Sequence, residues 1–229
     1  MNLFSIRSGT KDELESKKYN IGVGISLGNK WFTPDNILGL VQWSLKYTRE
    51  RVVIYVADSI HSLNIEGRSG KSPEKAKEIA LQQGQKILDE VRTLISEMMT
   101  PEDVARISYA HWDDLVDDQY KENVRYFYKL FETDKDFKNA ILNLVQGHVS
   151  KESRSFSDEA LEKMAHYILE ELPEILCRVK IAGTIYDAYA YPFDGDLCIF
   201  VQQLQNGEIF PEIKTIILKT KPKVFLEVR

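Results

Sequence analysis

The sequence predicts a single α/β domain in which helices flank a mostly parallel sheet. The apolar run Ile21–Ile25 has the composition of a buried strand, and Thr33-Pro34 beyond it has the residues of a helix N-cap and first helical position. Residues 51–57 form a second, β-branched run, which is typical of a strand buried on both faces. Strand, helix and strand in this order imply parallel strands joined by a right-handed crossover.

The rest of the chain continues this alternation. Ser72-Pro73 has the residues of a helix start, and apolar residues at helical spacing predict one long helix from there to about Met99. Pro173 predicts a break after a helix that Ser157 caps, followed by a second helix to about residue 182. We further expect strands at 106–110, 185–191 and 213–218, helices at 34–49, 119–132, 135–145 and 194–205, a loose lead-in at 1–18, a loop at 59–70 and a mobile flap at 147–156.

The composition suits a globular protein with a sizeable core, since the 229 residues are 43% hydrophobic and 28% charged. No apolar run reaches the roughly 18 residues that cross a bilayer, and no signal-peptide pattern opens the chain, so we expect a cytoplasmic protein. Cys177 and Cys198 have no metal or disulfide spacing and are expected to be reduced thiols. A net charge of −5 argues against general nucleic-acid binding but leaves a local basic patch open. We expect one domain over residues 1–229, and a monomer.

Ser26 lies at the end of the first predicted strand, just before a Gly28-Asn29 turn. Ligands of open α/β sheets bind outside the carboxyl ends of the strands, which is where this hydroxyl would lie. Backbone N–H groups of the turn and of the following helix start could stabilise a developing negative charge there. Ser26 is therefore a candidate nucleophile, although strand-end serines more often serve turns and caps.

Two further candidates, Tyr167 and Glu171, are four residues apart on one predicted helix, so their side chains share a face. A phenol beside a carboxylate can orient and deprotonate an ammonium group, whereas the simpler interpretation is an ordinary surface pair. Glu171 precedes the expected proline break, and the negative end of a helix would raise the pKa of its carboxyl group toward that of a useful base. Tyr191 ends a predicted strand on the same sheet edge as Ser26, where it could act as an acid or simply pack the rim.

The sequence carries no pattern for a bound metal, nucleotide or flavin. The four histidines lack metal-ligand spacing, and the P-loop and G-x-G-x-x-G motifs are absent. Asp113, Asp114, Asp117 and Asp118 suit the charged first turn of a helix better than a metal site. We therefore expect no cofactor and no metal.

Lys71, Lys75 and Lys86 fall, with Gln82, on one side of the long predicted helix. A solvated face is the simpler interpretation of four such residues. The alternative is a strip that follows the phosphates of a long polyanion.

Three short blocks resemble the tRNA-dependent cyclodipeptide synthases: Gly-Ile-Ser-Leu-Gly-Asn at 24–29, Tyr167-x-x-x-Glu171 and Tyr191-Pro192. Their order and spacing match that family over residues 20 to 218. The resemblance implies a Rossmann-like domain similar to the catalytic domain of class I aminoacyl-tRNA synthetases, without the ATP-binding motifs. Pro192 indicates the Tyr-Pro branch of the family, while Asn29 is typical of the Tyr-His branch.

The resemblance also implies the roles of these residues. Ser26 would accept an aminoacyl group from one aminoacyl-tRNA, Tyr167 and Glu171 would hold its amino group, and Glu171 would accept the proton. A second aminoacyl-tRNA would extend the adduct to a dipeptidyl-enzyme, and Tyr191 would assist the ring closure that releases a 2,5-diketopiperazine. Because the ester on tRNA is already activated, ATP is not needed. The candidate substrate-binding residues are Gly24, Asn29, Asp58, Pro192 and Asp194, and the candidate tRNA contacts are Lys71, Lys75 and Lys86.

Two other functions compete with this one. A serine-dependent acyl hydrolase is disfavoured because no histidine is placed as its general base. A non-catalytic module that binds tRNA or senses nucleotides is disfavoured because Ser26, Tyr167, Glu171 and Tyr191 are all present.

Overall fold

A six-stranded sheet organises the fold. The computed structural model describes residues 1–150, 155–192, 195–220 and 222–229. Within these residues the strands are Leu3–Arg7 (β1), Ile21–Ile25 (β2), Val52–Val56 (β3), Ile107–His111 (β4), Val179–Ile181 (β5), Thr184–Tyr186 (β6), Ala188–Tyr191 (β7) and Val224–Val228 (β8). The sheet has the order β1-β8-β7-β2-β3-β4, and β5 and β6 form a separate hairpin.

Helices cover both faces of this sheet. The described residues form helices at Lys11–Glu15 (α1), Pro34–Tyr47 (α2), His61–Ser69 (α3), Pro73–Met98 (α4), Pro101–Val104 (α5), Asp118–Thr133 (α6), Lys135–Val149 (α7), Asp158–Leu176 (α8), Asp196–Asn206 (α9) and Ile213–Thr220 (α10). A 3₁₀ turn spans Trp112–Leu115. None of the helices in the described ranges is long and apolar enough to cross a membrane.

The pairing of the strands confirms the predicted α/β class. β2 is parallel to β3 and β7, β3 is parallel to β4, and β7 is parallel to β8, whereas β1 pairs antiparallel with β8. Ile25 lies beside Val56, and Val56 beside His111. The carboxyl ends of these strands therefore share one edge, where ligands of such sheets bind.

Side chains of β3 enter two different cores because successive residues of a strand point to opposite faces. Val52, Ile54 and Val56 belong to the core that includes α2 and α4. Val53 and Tyr55 belong to the aromatic core on the other face. A third cluster packs α6, α7, α8 and α9 against one another.

Several predicted elements are confirmed. Thr33 caps α2 at Pro34, and Ser72 caps α4 at Pro73. β4, α6 and most of α9 lie where they were expected, and α7 begins as expected but continues to Val149, into the first residues of the expected flap. Two predictions fall partly outside the described residues: 151–154 of the expected flap and 194 at the expected helix start.

The expectation of a loose lead-in at 1–18 is wrong. β1 joins the sheet edge by pairing with β8, and Thr10 and Glu13 form a capping box at the start of α1. The partner of β1 is more than 200 residues away in the chain, so no local pattern announces the pairing. The polar composition of this segment fits a strand at the edge of a sheet.

The expectation of a loop at 59–70 is also wrong, because α3 occupies most of it. Gly67 lies inside this helix, where an added Cβ would come within 2.7 Å of the backbone carbonyl oxygen of Ala160 in α8. Only Gly70, with φ of 64°, ends the helix. One glycine thus permits close helix packing and the other marks the helix end.

Pro173 does not break α8, contrary to the prediction. An interior proline costs a helix about 3 kcal/mol, and nearly every residue from 168 to 176 is buried, which offsets that cost. The second helix predicted to reach residue 182 is also wrong. α8 ends at Leu176, and the β5–β6 hairpin follows it. Its turn residues Ala182 and Gly183 both have positive φ, as a two-residue type I′ turn requires. The single strand predicted at 185–191 is divided between β6 and β7.

The strand predicted at 213–218 is wrong, since these residues lie in α10. A short apolar run does not distinguish a strand from a buried helix, and Ile213 is buried in the helical cluster. The last strand is β8, which is buried along its whole length between β1 and β7. The buried Glu227 interrupts its apolar pattern.

Candidate active site

The Ser26 and Tyr191 hydroxyls are 3.0 Å apart at the carboxyl edge of the sheet. Ser26 directly follows β2, Tyr191 is the last residue of β7, and the register pairs Val23 with Ala190. Parallel pairing of two strands distant in the chain thus brings these hydroxyls together. Both residues are half-buried, so they remain open to a ligand.

Tyr167 and Glu171 reach the same place from α8. The Tyr167 hydroxyl donates a hydrogen bond of 3.2 Å to the Glu171 carboxylate, and it lies close enough to Ser26 for that side chain to lower the pKa of Tyr167 slightly. The structure therefore brings together Ser26, Tyr167, Glu171 and Tyr191, which the sequence nominated as one catalytic set.

The pKa of Glu171 is raised to about 8. Burial is the main cause, the negative charge of Glu174 adds to it, and the hydrogen bond from Tyr167 opposes it. The direction agrees with the sequence prediction, but the reason differs. α8 continues past Glu171 to Leu176, so the residue is not at a helix end.

The two tyrosines of the site stay protonated at neutral pH. Burial raises the pKa of Tyr167 well above its ordinary value, with a further contribution from the Glu171 charge. Burial also raises the pKa of Tyr191, while hydrogen bonds to Ser26 and Asn29 lower it in part. Both phenols are consequently hydrogen-bond donors rather than bases.

The turn after Ser26 holds Asn29 against the site. The Asn29 backbone N–H donates to the Ser26 carbonyl oxygen at 3.3 Å, and Gly28 has φ of 82°, a conformation that favours glycine. The Asn29 side chain accepts a hydrogen bond from the Trp31 N–H and also bonds to the Tyr191 hydroxyl. Asn29 thus connects the turn to one of the candidate catalytic groups.

Gly24 provides room for the tyrosine stack beneath the site. A Cβ at this position would lie 2.6 Å from the ring of Tyr189. The Tyr189 ring stacks on Tyr191, with centroids 5.2 Å apart and an interplanar angle of 25°. Gly24 therefore supports the position of Tyr191 from below; contact with a substrate stays a prediction.

The other candidate substrate-binding residues are placed less directly. Asp58 is fully buried and accepts hydrogen bonds from the backbone N–H groups of Ser59 and Trp112 and from His111 Nδ1, the last at 2.5 Å. Its carboxylate is thus already engaged by the protein. Pro192 is buried directly after Tyr191, and Asp194 lies outside the described residues.

Lys71, Lys75 and Lys86 are exposed, as a tRNA contact requires. Lys75 pairs with Glu78 at 2.7 Å, and Lys86 lies 3.8 Å from Glu90. Glu78 and Glu90 thus accompany the two lysines of α4, whereas Lys71 precedes the N-cap Ser72 and lies outside the helix. The geometry is compatible with either interpretation given above, a solvated face or a phosphate-binding strip.

Sequence reasoning missed a buried pair beside the site, Glu174 and Lys223. Glu174 lies three residues after Glu171, and that spacing could have placed both on one helix face. Lys223 directly precedes β8, which the sequence did not reveal. His61 was also missed: its ring lies within 3.5 Å of the position of a Cβ on Gly28, and burial lowers its pKa to about 4.

Comparison with solved structures supports the fold. The chain is similar to a cyclodipeptide synthase from Fluoribacter dumoffii (TM-score 0.70, 18% identity, 97% of this chain and 96% of that one). It is also similar to a cyclodipeptide synthase from Candidatus Glomeribacter gigasporarum that was solved bound to Phe-tRNAPhe (0.60, 19%, 92% and 88%). The tyrosyl-tRNA synthetase of Archaeoglobus fulgidus, a class I enzyme, shares the fold as well (0.57, 14%, 99% and 61%).

Comparison by sequence gives the family. No curated protein sequence matches the chain closely enough to count as a relative. The family model described as cyclodipeptide synthase matches residues 10–206, well over half of the chain. The protein therefore belongs to the cyclodipeptide synthase family and is an aminoacyl-transferring enzyme.

Proposed function

We propose that this enzyme joins the aminoacyl groups of two aminoacyl-tRNAs into a cyclic dipeptide by ping-pong acyl transfer through Ser26. The proposal rests on the arrangement of four side chains. The Ser26 hydroxyl lies 3.0 Å from the Tyr191 hydroxyl and near Tyr167, and Tyr167 donates a hydrogen bond to Glu171. Membership of the family and the tRNA complex of a relative support the choice of substrates. Because aminoacyl-tRNAs are cytoplasmic, the enzyme would act there.

The first step is an exchange of esters. The Ser26 oxygen attacks the carbonyl carbon of the aminoacyl ester, the bond to the tRNA ribose oxygen breaks, and the serine proton ends on that oxygen. One ester replaces another, so the free energy changes little and ATP is not required. The protein contributes mainly position, which is worth up to about 7–11 kcal/mol of the barrier in well-oriented reactions.

The second step forms the peptide bond. The amino group of aminoacyl-Ser26 must lose a proton before it can attack the ester of a second aminoacyl-tRNA. As the peptide bond forms, the bond to the ribose oxygen of that tRNA breaks, and the proton ends on this oxygen. Glu171 is the proton acceptor, because its pKa of about 8 is close to that of an α-ammonium group. Tyr167, which bonds to Glu171 and lies near Ser26, holds the amino group between them.

The third step closes the ring. The free amino group of the dipeptidyl-enzyme attacks the Ser26 ester, the acyl–oxygen bond breaks, and the cyclic product leaves. The Ser26 oxygen needs a proton as it departs. The Tyr191 hydroxyl lies at hydrogen-bond distance from it and stays protonated at neutral pH, so it can donate that proton.

Pro192 directly after Tyr191 supports the Tyr-Pro branch of the family, whereas Asn29 is the residue typical of the Tyr-His branch. We propose that Asn29 acts by orienting Tyr191, that Asp58 and Asp194 belong to the substrate pocket, and that Lys71, Lys75 and Lys86 contact tRNA.

Expression in a bacterial host with mass spectrometry of the medium tests the function. We expect a cyclic dipeptide from the parent and none from Ser26→Ala. Purified parent mixed with labelled aminoacyl-tRNA should carry the label at Ser26. A folded parent that gives neither product nor adduct would overturn the proposal, and ester hydrolysis without a cyclic product would favour the hydrolase.

A further inference from the structure

A buried ion pair lies directly beneath the candidate site, and none of the three steps above uses it. Glu174 and Lys223 are each 1% exposed. The Lys223 ammonium and the Tyr55 hydroxyl both donate hydrogen bonds to Glu174 Oε1. Lys223 Nζ also donates to the Glu174 carbonyl oxygen at 3.1 Å. The carboxylate therefore has two donors that favour its charged form.

This pair is connected to the catalytic groups on two sides. Glu174 follows Glu171 by three residues on α8, so the two carboxyl groups share a face of the helix. Lys223 Nζ lies over the ring of Tyr189, 5.4 Å from its centroid. The same ring stacks on Tyr191, which bonds to Ser26.

Packing alone does not call for charges at this place. Desolvation of a buried pair costs several kcal/mol per ion, and apolar side chains of similar volume often replace such pairs without loss of stability. What apolar side chains could not supply is a fixed negative charge one helical turn from Glu171.

We propose that Glu174, paired with Lys223 and hydrogen-bonded by Tyr55, is a positioning residue that sets the proton affinity of Glu171. The inference rests on the proposed function, in which Glu171 accepts a proton from an ammonium group. It assigns the buried pair to the chemistry rather than to the stability of the fold.

The groups that face Glu171 come from several elements. Tyr167 and Glu174 face it from α8, Tyr189 and Tyr191 from β7, and Tyr55 from β3. Burial raises the pKa of each of these phenols above the ordinary value, so they are neutral at neutral pH. Among these groups Glu174 therefore supplies the negative charge, and Lys223 is its counter-ion.

The sign of the effect follows from these positions. A negative charge disfavours ionisation of a neighbouring carboxyl group, so Glu174 raises the pKa of Glu171, in addition to burial. Loss of that charge should make Glu171 a weaker base, less well matched to an α-ammonium group. The buried pair thus adjusts proton transfer without touching the substrate.

The test is a titration of Glu171 by carboxyl-carbon NMR, with Glu171→Gln to assign the signal. In Glu174→Gln we expect the midpoint of Glu171 to fall by about one pH unit. Because this variant leaves Lys223 buried without its partner, the neutral pair Glu174→Gln/Lys223→Met is measured as well. In this double variant the Glu171 midpoint should also fall, but by less than in Glu174→Gln. The reason is that the positive charge of Lys223, which lowers the pKa of a nearby carboxyl group, is removed as well.

The matched control is Glu170→Gln. Glu170 is adjacent in the chain but bonds to the Tyr120 and Tyr128 hydroxyls instead. We expect the Glu171 midpoint to stay unchanged in this variant. The pH at which cyclic dipeptide formation reaches half its maximum should move with the midpoint in the Glu174 variants and stay in the control.

The titration requires no catalytic turnover, so its result can contradict the present inference without contradicting the proposed function, and the reverse also holds. A parent that makes no cyclic dipeptide contradicts the proposed function, whatever the titration gives. An unchanged Glu171 midpoint in folded Glu174→Gln or in the folded double variant overturns the present inference, even if the parent is active. Equal shifts in the Glu170 control would overturn it as well.

Discussion

Glu171 combines a carboxyl group with an environment that resists its charge. Its pKa of about 8 lies above the ordinary value of 4.5, so folding favours the protonated form. The contribution of this carboxyl group to the free energy of unfolding is fully present below about pH 4.5 and is lost as the pH rises through about 8. A base that is useful near neutral pH is therefore obtained at the expense of stability.

Glu171→Gln should accordingly stabilise the protein at alkaline pH. The variant is neutral throughout, so its unfolding free energy should exceed that of the parent by about 2–4 kcal/mol at pH 8.5 and by little at pH 5. Urea unfolding at the two pH values measures this difference. The exposed Glu132→Gln on α6 is the control. The same difference at both pH values would contradict the assigned cause.

Tyr191→Phe should affect ring closure more than loading of Ser26. The ring and its stacking on Tyr189 remain, but the hydroxyl 3.0 Å from Ser26 is lost. We expect cyclic dipeptide formation to fall by about 10²–10³-fold, the usual effect of losing one acid, and the dipeptidyl-enzyme to accumulate in intact-protein mass spectra.

The matched control is Tyr109→Phe, which removes a buried hydroxyl without a hydrogen-bond partner in the described part of the chain. It should leave product formation unchanged. Equal loss of loading and closure in Tyr191→Phe would speak against a separate role in the third step.

Individual site residues could be predicted from the sequence where a local pattern marks them, and not where their properties depend on long-range contacts. Ser26, Tyr167, Glu171 and Tyr191 are marked by strand ends and by helical spacing, which are local. The pKa of Glu171 depends on burial, which no local pattern contains. Lys223 contributes through a contact with Glu174 across 49 residues of the chain.

At the scale of elements, α8 matters most because it carries three of the groups that the mechanism and the inference use. It passes through Pro173 unbroken, and α3 lies close against it at Gly67. Pro173 predicted a helix break and residues 59–70 predicted a loop, but burial and helix packing stabilise helical structure at both places. The strand predicted at 213–218 failed for a related reason, since a short apolar run fits a buried helix equally well.

Gly67→Ala should destabilise the fold although alanine is the better helix former by about 1 kcal/mol. The added Cβ would lie 2.7 Å from the Ala160 carbonyl oxygen, which is backbone and cannot turn away. We expect a net loss of about 1–3 kcal/mol, together with lower activity because α8 must move. Chemical unfolding and product yield measure the two effects.

The control for this change is Gly147→Ala in α7. Among the described residues, a Cβ there would meet Asp196 alone, at an ordinary 3.6 Å. It should be neutral or stabilising. A Gly67→Ala variant as stable as this control would show that the two helices have room to separate.

The whole molecule carries a net charge of −5 yet is proposed to bind a polyanion. Attraction must then come from the local distribution of charge, and it must weaken with salt. The overall class of fold was predictable because alternating strands and helices dictate a parallel sheet. The place of β1 was not, since it depends on a strand at the other end of the chain.

Lys75→Glu and Lys86→Glu together should lower activity strongly at low salt, because the two side chains share the solvent face of α4. The matched control is Lys77→Glu, an exposed lysine on another side of the same helix. Rates of cyclic dipeptide formation at several salt concentrations are the measurement. Unaltered activity of the double variant at low salt would reject this face as the tRNA contact.

The pairing of β1 with β8 also bears on how the protein can be handled. Residues 2 and 229 exchange backbone hydrogen bonds of 2.6 and 2.9 Å, so the first and last described residues are neighbours. Glu227, two residues from position 229, lies opposite Tyr191 in the register. A purification tag or fusion partner attached at either place would therefore emerge on the rim where we propose that the aminoacyl-tRNA binds. An exposed loop on the opposite rim, away from Ser26, is the better attachment point.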